Sequence, residues 1–512
     1  MSSHLQENKI RLSDLLNDKW LPAEVSDIAI NGLCLDHRNL IKGELFFAVK
    51  GATNDGRRFI ADAIDHGAAA ILKEASTAEE TISWKNNTPI IPFNNLSEKI
   101  SAIAGRYYSE PSTKMAVIGV TGTNGKTTCS HLLAQLFSRL GDRSGVIGTL
   151  GFGIAQPGEN TISLTDTGMT TADAISTQHI LSELDTQDCD LVTMEVSSHS
   201  LDQHRVAAVQ FATAIFTNLT RDHLDYHGDM HAYGAAKREL FVSSYLKNAI
   251  VNIDDDFGRR LTKAVSSKTR LITYSLRNEK ADIYMADIAV DQSKMTASLF
   301  TPWGEGKINT QLVGEFNLLN LLSVISAACV HGYELAAVLE QVPYLRPVDG
   351  RMERIGVDSD VQVIVDYAHT PDSLEKALQT IRAQTEGNVW CVFGCGGDRD
   401  KGKRPLMAAV AEKFANSVIV TSDNPRTESM NDIESDIQKG FSDSSKVLFK
   451  SDRAEAIAFA IRQAVKGDSV LIAGKGHEDY QLIGSDRLSF SDVKHARLAL
   501  RERNNLLTNK AN

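Results

Sequence analysis

The chain has 512 residues, enough for about three domains at roughly 150 residues each. Hydrophobic residues at 42% and charged residues at 23% make an ordinary globular composition and exclude a disordered or collagen-like chain. A net charge of −11 argues against a nucleic-acid partner, no apolar run approaches the ~18 residues of a membrane span, and MSSHLQENKI lacks the apolar stretch of a signal peptide.

In chain order, residues 1 to about 112 mix short strands and helices. ELFFAV (44–49) reads as a strand, FIADAIDHG (59–67) as a helix closed by Gly67, and AAAILK (68–73) as the next buried strand. Segment 106–114, with Pro111 and polar residues, reads as a linker. A second block, 113–346, opens on the apolar run MAVIGV (115–120), then TGTNGKTT and a helical pattern over about 126–139. VTMEVSS (192–198) and TAIFTNL (213–219) read as further buried strands, an alternation that predicts a parallel sheet flanked by helices. MADIAV, MTASLF and KINTQLVG in 282–312 predict an antiparallel extension, and helices over about 317–330 and 334–341 close the block. From 347 to 512, VQVIVDY, NVWCVFG, SVIVTSD, KVLFK and SVLIAG alternate with helical patterns, which predicts a doubly wound, Rossmann-like α/β domain. Ligands in such sheets bind beyond the carboxyl ends of the strands, where Asp366–His369, Gly394–Arg404, Asp423–Arg426 and Gly474–Glu478 fall. Six scattered cysteines without a CxxC pair fit a reduced, cytoplasmic enzyme.

Gly122-Thr123-Asn124-Gly125-Lys126-Thr127-Thr128 joins a strand to a helix. Glycines let backbone N–H groups curl around phosphate oxygens, Lys126 reaches the terminal phosphates, and Thr127 can ligate Mg²⁺. The strict pattern wants glycine where Val120 stands, so this is a variant P-loop. The nucleotide could serve an ATP-consuming enzyme or a GTP-controlled switch. The guanine-reading Asn-Lys-x-Asp is missing, and the polar clusters downstream favour the enzyme.

TGTNGKTT resembles the ATP loop of the Mur ligase family, which includes folylpolyglutamate synthases. The likeness continues through EVSSHSLDQHR (195–205), TNLTRDHLDYHG (217–228), YGAAKRELF (233–241), GEFNLLN (314–320), DGRMERI (349–355), DYAHTPDSL (366–374), FGCGGDRDKGKRP (393–405), DNPRTE (423–428) and GKGHEDYQ (474–481). The resemblance implies three domains that bind a uridine nucleotide (1–112), ATP (113–346) and an amino acid (347–512). It also implies ATP-dependent amide formation with two Mg²⁺, by a monomer acting on small molecules with no nucleic acid and no membrane insertion. It points to UDP-N-acetylmuramoyl-L-alanyl-D-glutamate and meso-diaminopimelate as substrates. A lysine-adding member is the nearest alternative, a folylpolyglutamate synthase a more distant one, and a nucleotide-dependent binding switch the last.

The same resemblance assigns residues. Glu195, by itself an ordinary strand-end carboxylate, becomes a magnesium ligand with Thr127 and His223. His223, His227 and His231 recur every four residues, but Gly228 interrupts their helix, and Asp222 and Asp225 suit hard cations better than zinc. Lys237, otherwise a solvated helix lysine, corresponds to a carbamylated lysine that binds a second Mg²⁺. Asn317, otherwise a helix cap, corresponds to an adenine contact at the start of an amphipathic helix. Arg351, Asp366 and His369 correspond to ATP ribose and phosphate contacts. Asp423-Asn424-Pro425-Arg426 makes a turn on any reading. A guanidinium there can also grip the distal carboxylate that separates diaminopimelate from lysine. Arg399, Gly474 and Glu478 complete that pocket, with Glu478 expected to pair the distal ammonium. Asp36, His37, Arg38, Asp55 and Arg57 correspond to uridine-nucleotide contacts, although His37 stands where the family has serine. Thr170, Thr171, Ser197, Gln203 and Arg205 correspond to contacts with the sugar-peptide.

Overall fold

The structure is a computed structural model that describes residues 9–511 except 18, 52, 53, 78, 160, 161, 292, 293, 357, 358, 444 and 446. Three sheets organise it, each with its own buried core. In the first lobe, Leu33–Cys34, Leu45–Ala48, Ala70–Glu74 and Thr88–Phe93 run parallel, and Ser83–Lys85 is added antiparallel at the edge. Leu45, Phe46, Phe47 and Ala48 are all buried, because the sheet is covered on both faces and neither side chain parity meets water.

The central sheet has eleven strands. Ser144–Gly148, Leu191–Glu195, Ala116–Thr121, Phe211–Phe216, Asn248–Asn252 and Arg270–Ser275 are neighbours in that order and all parallel. The antiparallel extension is present as Ile283–Asp291, Lys294–Thr301 and Gly304–Thr310. A second antiparallel edge, Gly151–Ala155 with Ser163–Thr165, lies at the opposite end of the sheet. Its glycine-rich sequence carries little of the β-branched signal that marks strands.

The third sheet takes the order Glu353–Ile355, Gln362–Asp366, Ser469–Ala473, Val389–Phe393, Ser417–Val420, Val447–Phe449, parallel except for the first pair. The last strand in sequence inserts between two earlier ones, so the loops after Asp366, Phe393, Val420 and Ala473 converge at one end of the sheet. The polar clusters of this lobe occupy those loops.

One expectation needs correction and another is refined. Segment 106–114 connects the first two lobes as a packed linker: the helix Leu96–Tyr107 runs into it, Pro111–Thr113 forms a 3₁₀ turn, and the buried Ser112 Oγ accepts the Gln210 backbone N–H at 3.1 Å. The helix after Gly314, Glu315–Val330, is not amphipathic. Leu318 and Asn320 through Cys329 are buried on every side, because the helix is wedged between the P-loop helix Lys126–Arg139 and the central sheet. Asn317 stands within its first turn rather than at the cap.

Candidate functional site

The strand Ala116–Thr121 delivers the P-loop into a tight setting. Gly122 has φ +153°, and a Cβ there would lie 1.9 Å from Thr217 Oγ1, so no other residue fits without moving the neighbouring loop. That neighbour, 217–220, clamps the P-loop: Thr123 N–H donates to the Asn218 carbonyl at 2.8 Å and Asn124 N–H to Asn218 Oδ1 at 2.9 Å. Lys126 opens the helix and folds back, its Nζ donating to the Gly122 and Thr123 carbonyls at 2.9 Å each. Thr127 Oγ1 donates to Glu195 Oε2 at 3.0 Å, and Glu195 also accepts the Thr149 N–H at 2.8 Å. Glu195 is fully buried at the end of its strand.

Lys237 lies on the helix Met230–Arg238 with 1% of its surface exposed. Its Nζ donates to the same Gly122 carbonyl at 2.9 Å and sits 4.5 Å from the centre of the Tyr233 ring. Burial and the neighbouring Lys126 cation hold its amine well below the ordinary lysine range. His223, at φ +55° before a short helix ended by Gly228, lies 3.3 Å from Asp222, and burial lowers its pKa to about 3. His227 instead hydrogen-bonds Ser198 Oγ at 2.9 Å and His231 is exposed, so the three histidines do not converge. Among the described residues no three His, Cys, Asp or Glu side chains form a ready metal cluster. The Thr127 hydroxyl and Glu195 carboxylate are adjacent hard oxygen donors that suit Mg²⁺. Lys237 suits a cation only after its amine is converted to an anion.

The third lobe closes over this loop. Arg351 Nη2 donates to Thr127 Oγ1 at 3.0 Å, and its guanidinium lies 4.3 Å from the centre of the Tyr367 ring. Asn124 Nδ2 donates to Asp372 Oδ2 at 2.9 Å. Asp366 Oδ2 accepts the Met352 N–H at 2.7 Å, and burial raises its pKa. His369 Nε2 is 3.7 Å from Asp222. Asn124, Gly125, Thr128, Asn317, Arg351 and Asp366 line one cavity between the two lobes, so these six of the residues assigned to ATP meet there from both sides, while Gly122, Thr123, Lys126, Thr127 and His369 lie outside its lining.

Asp423-Asn424-Pro425-Arg426 follows the strand Ser417–Val420, with Arg426 at φ +53°. Arg426 N–H donates to the Leu482 carbonyl at 3.0 Å, and its Nη1 donates to the Gly397 carbonyl at 2.9 Å. Glu478 is not free for a ligand ammonium alone. It accepts Lys475 Nζ at 2.8 Å and Asn424 Nδ2 at 2.9 Å. Arg399 is exposed and donates to the Asp398 carbonyl at 3.0 Å. The fully buried Arg453–Asp492 pair, at 2.7 Å, braces the loops after Val420 and Ala473 through bonds from Arg453 to the Ser422 and Ala473 carbonyls at 3.2 and 2.9 Å. Lys475, Tyr367 and Arg453 were given no role from sequence. Lys475 and Tyr367 lie inside the quoted GKGHE and DYAH motifs, but nothing local identifies the distant partner of Arg453.

In the first lobe Asp36 and Asp55 each cap a 3₁₀ turn and pair with the arginine two residues on, Arg38 at 2.6 Å and Arg57 at 2.8 Å. Those hydrogen bonds lower both carboxyls to about 2. His37 stacks on Phe59 with ring centres 4.3 Å apart, which brings the two loops together. The five residues expected at the sugar-peptide also cluster. Thr171 Oγ1 accepts the Ser197 N–H at 3.2 Å, Arg205 Nη1 donates to the Thr171 carbonyl at 3.0 Å and Nε to Gln203 Oε1 at 3.0 Å, and Thr170 contacts Thr149 Oγ1 at 3.1 Å.

Three family profiles match along the chain: Mur ligase family, catalytic domain over residues 29–108, Mur ligase middle domain over 120–328, and Mur ligase, glutamate ligase domain over 350–476. A UDP-N-acetylmuramoyl-L-alanyl-D-glutamate–2,6-diaminopimelate ligase of Pseudomonas aeruginosa is 48% identical, covering 94% of this chain and 97% of that protein. One of the same description from Coxiella burnetii is 46% identical over 96% and 99%. A solved structure of a UDP-N-acetylmuramoyl-L-alanyl-D-glutamate–2,6-diaminopimelate ligase superposes with a TM-score of 0.68 at 35% identity, covering 97% of this chain and 99% of that one. The MurF ligase of Thermotoga maritima, solved with ADP, shares the fold with a TM-score of 0.62 at 19% identity, over 93% and 98%.

Proposed function

Because this chain belongs to the Mur ligase family, we propose that it is the ATP-dependent ligase that joins meso-2,6-diaminopimelate to the D-glutamate γ-carboxylate of UDP-N-acetylmuramoyl-L-alanyl-D-glutamate in peptidoglycan precursor synthesis. The observation that carries the reading is the cleft itself: Arg351 bonds the P-loop Thr127 at 3.0 Å and stacks on Tyr367, so the ATP lobe and the Asp423–Arg426 lobe face each other. We assign residues 1–112, 113–346 and 347–512 as the uridine-nucleotide, ATP and amino-acid domains of a monomer that works in the cytoplasm. Among the described residues no helix is long and apolar enough to cross a membrane.

The γ-carboxylate attacks the γ-phosphorus of ATP, the bond to the bridging oxygen breaks, and ADP leaves an acyl phosphate. Lys126 and Arg351 bring positive charge to the transferring phosphoryl group, where it is worth more than in water. The free amine of diaminopimelate then attacks the acyl carbon, loses a proton, and expels phosphate as the amide forms. Closure of the third lobe keeps water from the acyl phosphate. Thr127, Glu195, His223 and Lys237, once carbamylated, would hold Mg²⁺, which supplies charge neutralisation at the phosphates. Lys237 fits that modification because burial and the Lys126 cation push its amine well below the ordinary lysine range, and among the described residues its hydrogen bond goes to a carbonyl.

Arg426 selects the amine donor, since diaminopimelate carries a second carboxylate that lysine lacks. The test is phosphate release with ATP and the UDP-dipeptide, offering meso-diaminopimelate or L-lysine. Release with diaminopimelate at least a hundred-fold above lysine is expected, and equal or greater release with lysine would refute the assignment.

A further inference from the structure

We infer that Arg221 and Asp400, backed by Asp222 and Lys403, form the latch that holds the third lobe closed on the P-loop lobe, and that Arg221 and Asp400 are positioning residues for the reaction. Arg221 and Asp222 stand in the loop after the strand Phe211–Phe216, between Asn218, which clamps the P-loop, and His223. Across the cleft, Asp400 stands in the loop after the strand Val389–Phe393 and Lys403 opens the helix Lys403–Phe414. Arg221 Nε and Nη2 reach the two oxygens of Asp400 at 3.0 Å each, a bidentate pair that fixes direction as well as distance. The surroundings are shaped for it. Gly402 leaves the space, since a Cβ there would lie 2.2 Å from Arg221 Nη2, and the Gly402 N–H at 2.9 Å already orients the Asp400 carboxylate. Beneath this pair, Asp222 Oδ1 lies 3.3 Å from Lys403 Nζ, with both side chains buried.

Both pairs join residues about 180 positions apart in sequence and on different lobes. They exist only while the lobes are shut, and all four charges regain water when the lobes part. Their net worth is therefore small compared with their Coulomb energy, as a latch that opens each cycle requires. The same two loops carry Arg399 next to Asp400 and His223 next to Asp222. The latch thus sets the register between the lobe that presents the amine and the lobe that presents the phosphate.

The experiment uses full-length enzyme with fluorophores on exposed positions of the two lobes, in Arg221→Ala, Asp400→Asn and the double variant. Asp400→Asn keeps an acceptor for the Gly402 N–H, so its own loop stays ordered. Each single variant is expected to shift the nucleotide-bound population toward longer inter-lobe distance and to lower kcat about five- to ten-fold at unchanged melting temperature. The double variant is expected to be no worse than the poorer single. Moderate salt should reproduce the distance shift in the wild type and leave the double variant unmoved. An unchanged distance distribution in both singles, or losses that multiply in the double, overturns the inference. It rests on the ligase reading only for kcat. The distance measurement needs no turnover, so a chain that closes and latches but joins no amine would refute that reading alone.

Discussion

Replacing Arg426 isolates the group to which we assign amine selection. Its Nη1 is tied to the Gly397 carbonyl, its guanidinium touches no carboxylate within 4.0 Å among the described residues, and the side chain is half-buried. Burial and the neighbouring Arg399 lower its pKa, the mark of a cation kept partly dry without an anion of its own. A carboxylate gripped there makes charge-assisted hydrogen bonds worth about 1.5–3 kcal/mol each, offset by the cost of desolvating the ligand. A net loss of about 3 kcal/mol in Arg426→Ala corresponds to roughly a 150-fold rise in the KM for diaminopimelate. The backbone adds little, because arginine already occupies φ +53° and alanine pays the same strain. Phosphate release measured against diaminopimelate concentration gives the answer. The KM for ATP should stay within about two-fold, and Arg426→Lys, with charge but no fork, should recover only part of the loss. A diaminopimelate KM unchanged in Arg426→Ala would remove the residue from amine selection.

Lys126→Ala should abolish phosphate release while the melting temperature stays within about 3 °C, since the lysine's two bonds go to carbonyls that water can serve; near-normal turnover would refute the P-loop role. Asp492→Asn leaves the fully buried Arg453 uncompensated and should cost about 3–5 kcal/mol, seen as a fall in melting temperature of roughly 10 °C; an unchanged melt would show that these loops do not need the brace. His131, buried on the P-loop helix, has its pKa lowered from 6.5 to about 4 by burial and by the Arg351 cation. The unfolded chain therefore binds the proton more readily, stability is complete above about pH 6.5, and it declines as pH falls to about 4. The total reaches about 3 kcal/mol, and His131→Gln should flatten that part of the melting profile. Parallel pH profiles of the two proteins would count against this assignment.

The parts that were legible in the sequence are those set by local chemistry. Apolar β-branched runs marked the parallel strands, and Gly-Lys-Thr between a strand and a helix marked the phosphate loop. What was not legible depends on distant partners. Nothing near Asp222 announces Lys403, and nothing near Arg453 announces Asp492. The helix Glu315–Val330 carries polar residues that imitate an exposed face, yet Asn320, Ser323 and Ser326 are buried and turn to local acceptors or to Cys129. The strand pair Gly151–Ala155 and Ser163–Thr165 escaped because its glycines suit a loop equally well. In the first lobe the resemblance assigns Asp36 and Asp55 to a ligand, and the further task of each carboxylate, capping a 3₁₀ turn, was not read from the sequence.

The pairing of cations explains how an acidic chain serves anionic substrates. Arg404 is held by Glu428 at 2.7 Å and Asp436 at 3.0 Å, and Arg453 by Asp492 at 2.7 Å. These cations are neutralised where they stand, and their task is to brace loops. Lys126 instead has the Gly122 and Thr123 carbonyls, Arg351 has a hydroxyl and a ring, Arg205 has an amide and a carbonyl, and Arg426 has carbonyls. Partly buried charge left with neutral partners costs stability unless an anion arrives to repay it. Those four residues face the positions proposed for triphosphate, sugar-peptide and diamino acid, so a net charge of −11 over the whole chain is compatible with anionic ligands there. Under the proposed function, these unmatched cations are where anionic ligands complete the electrostatics of the fold.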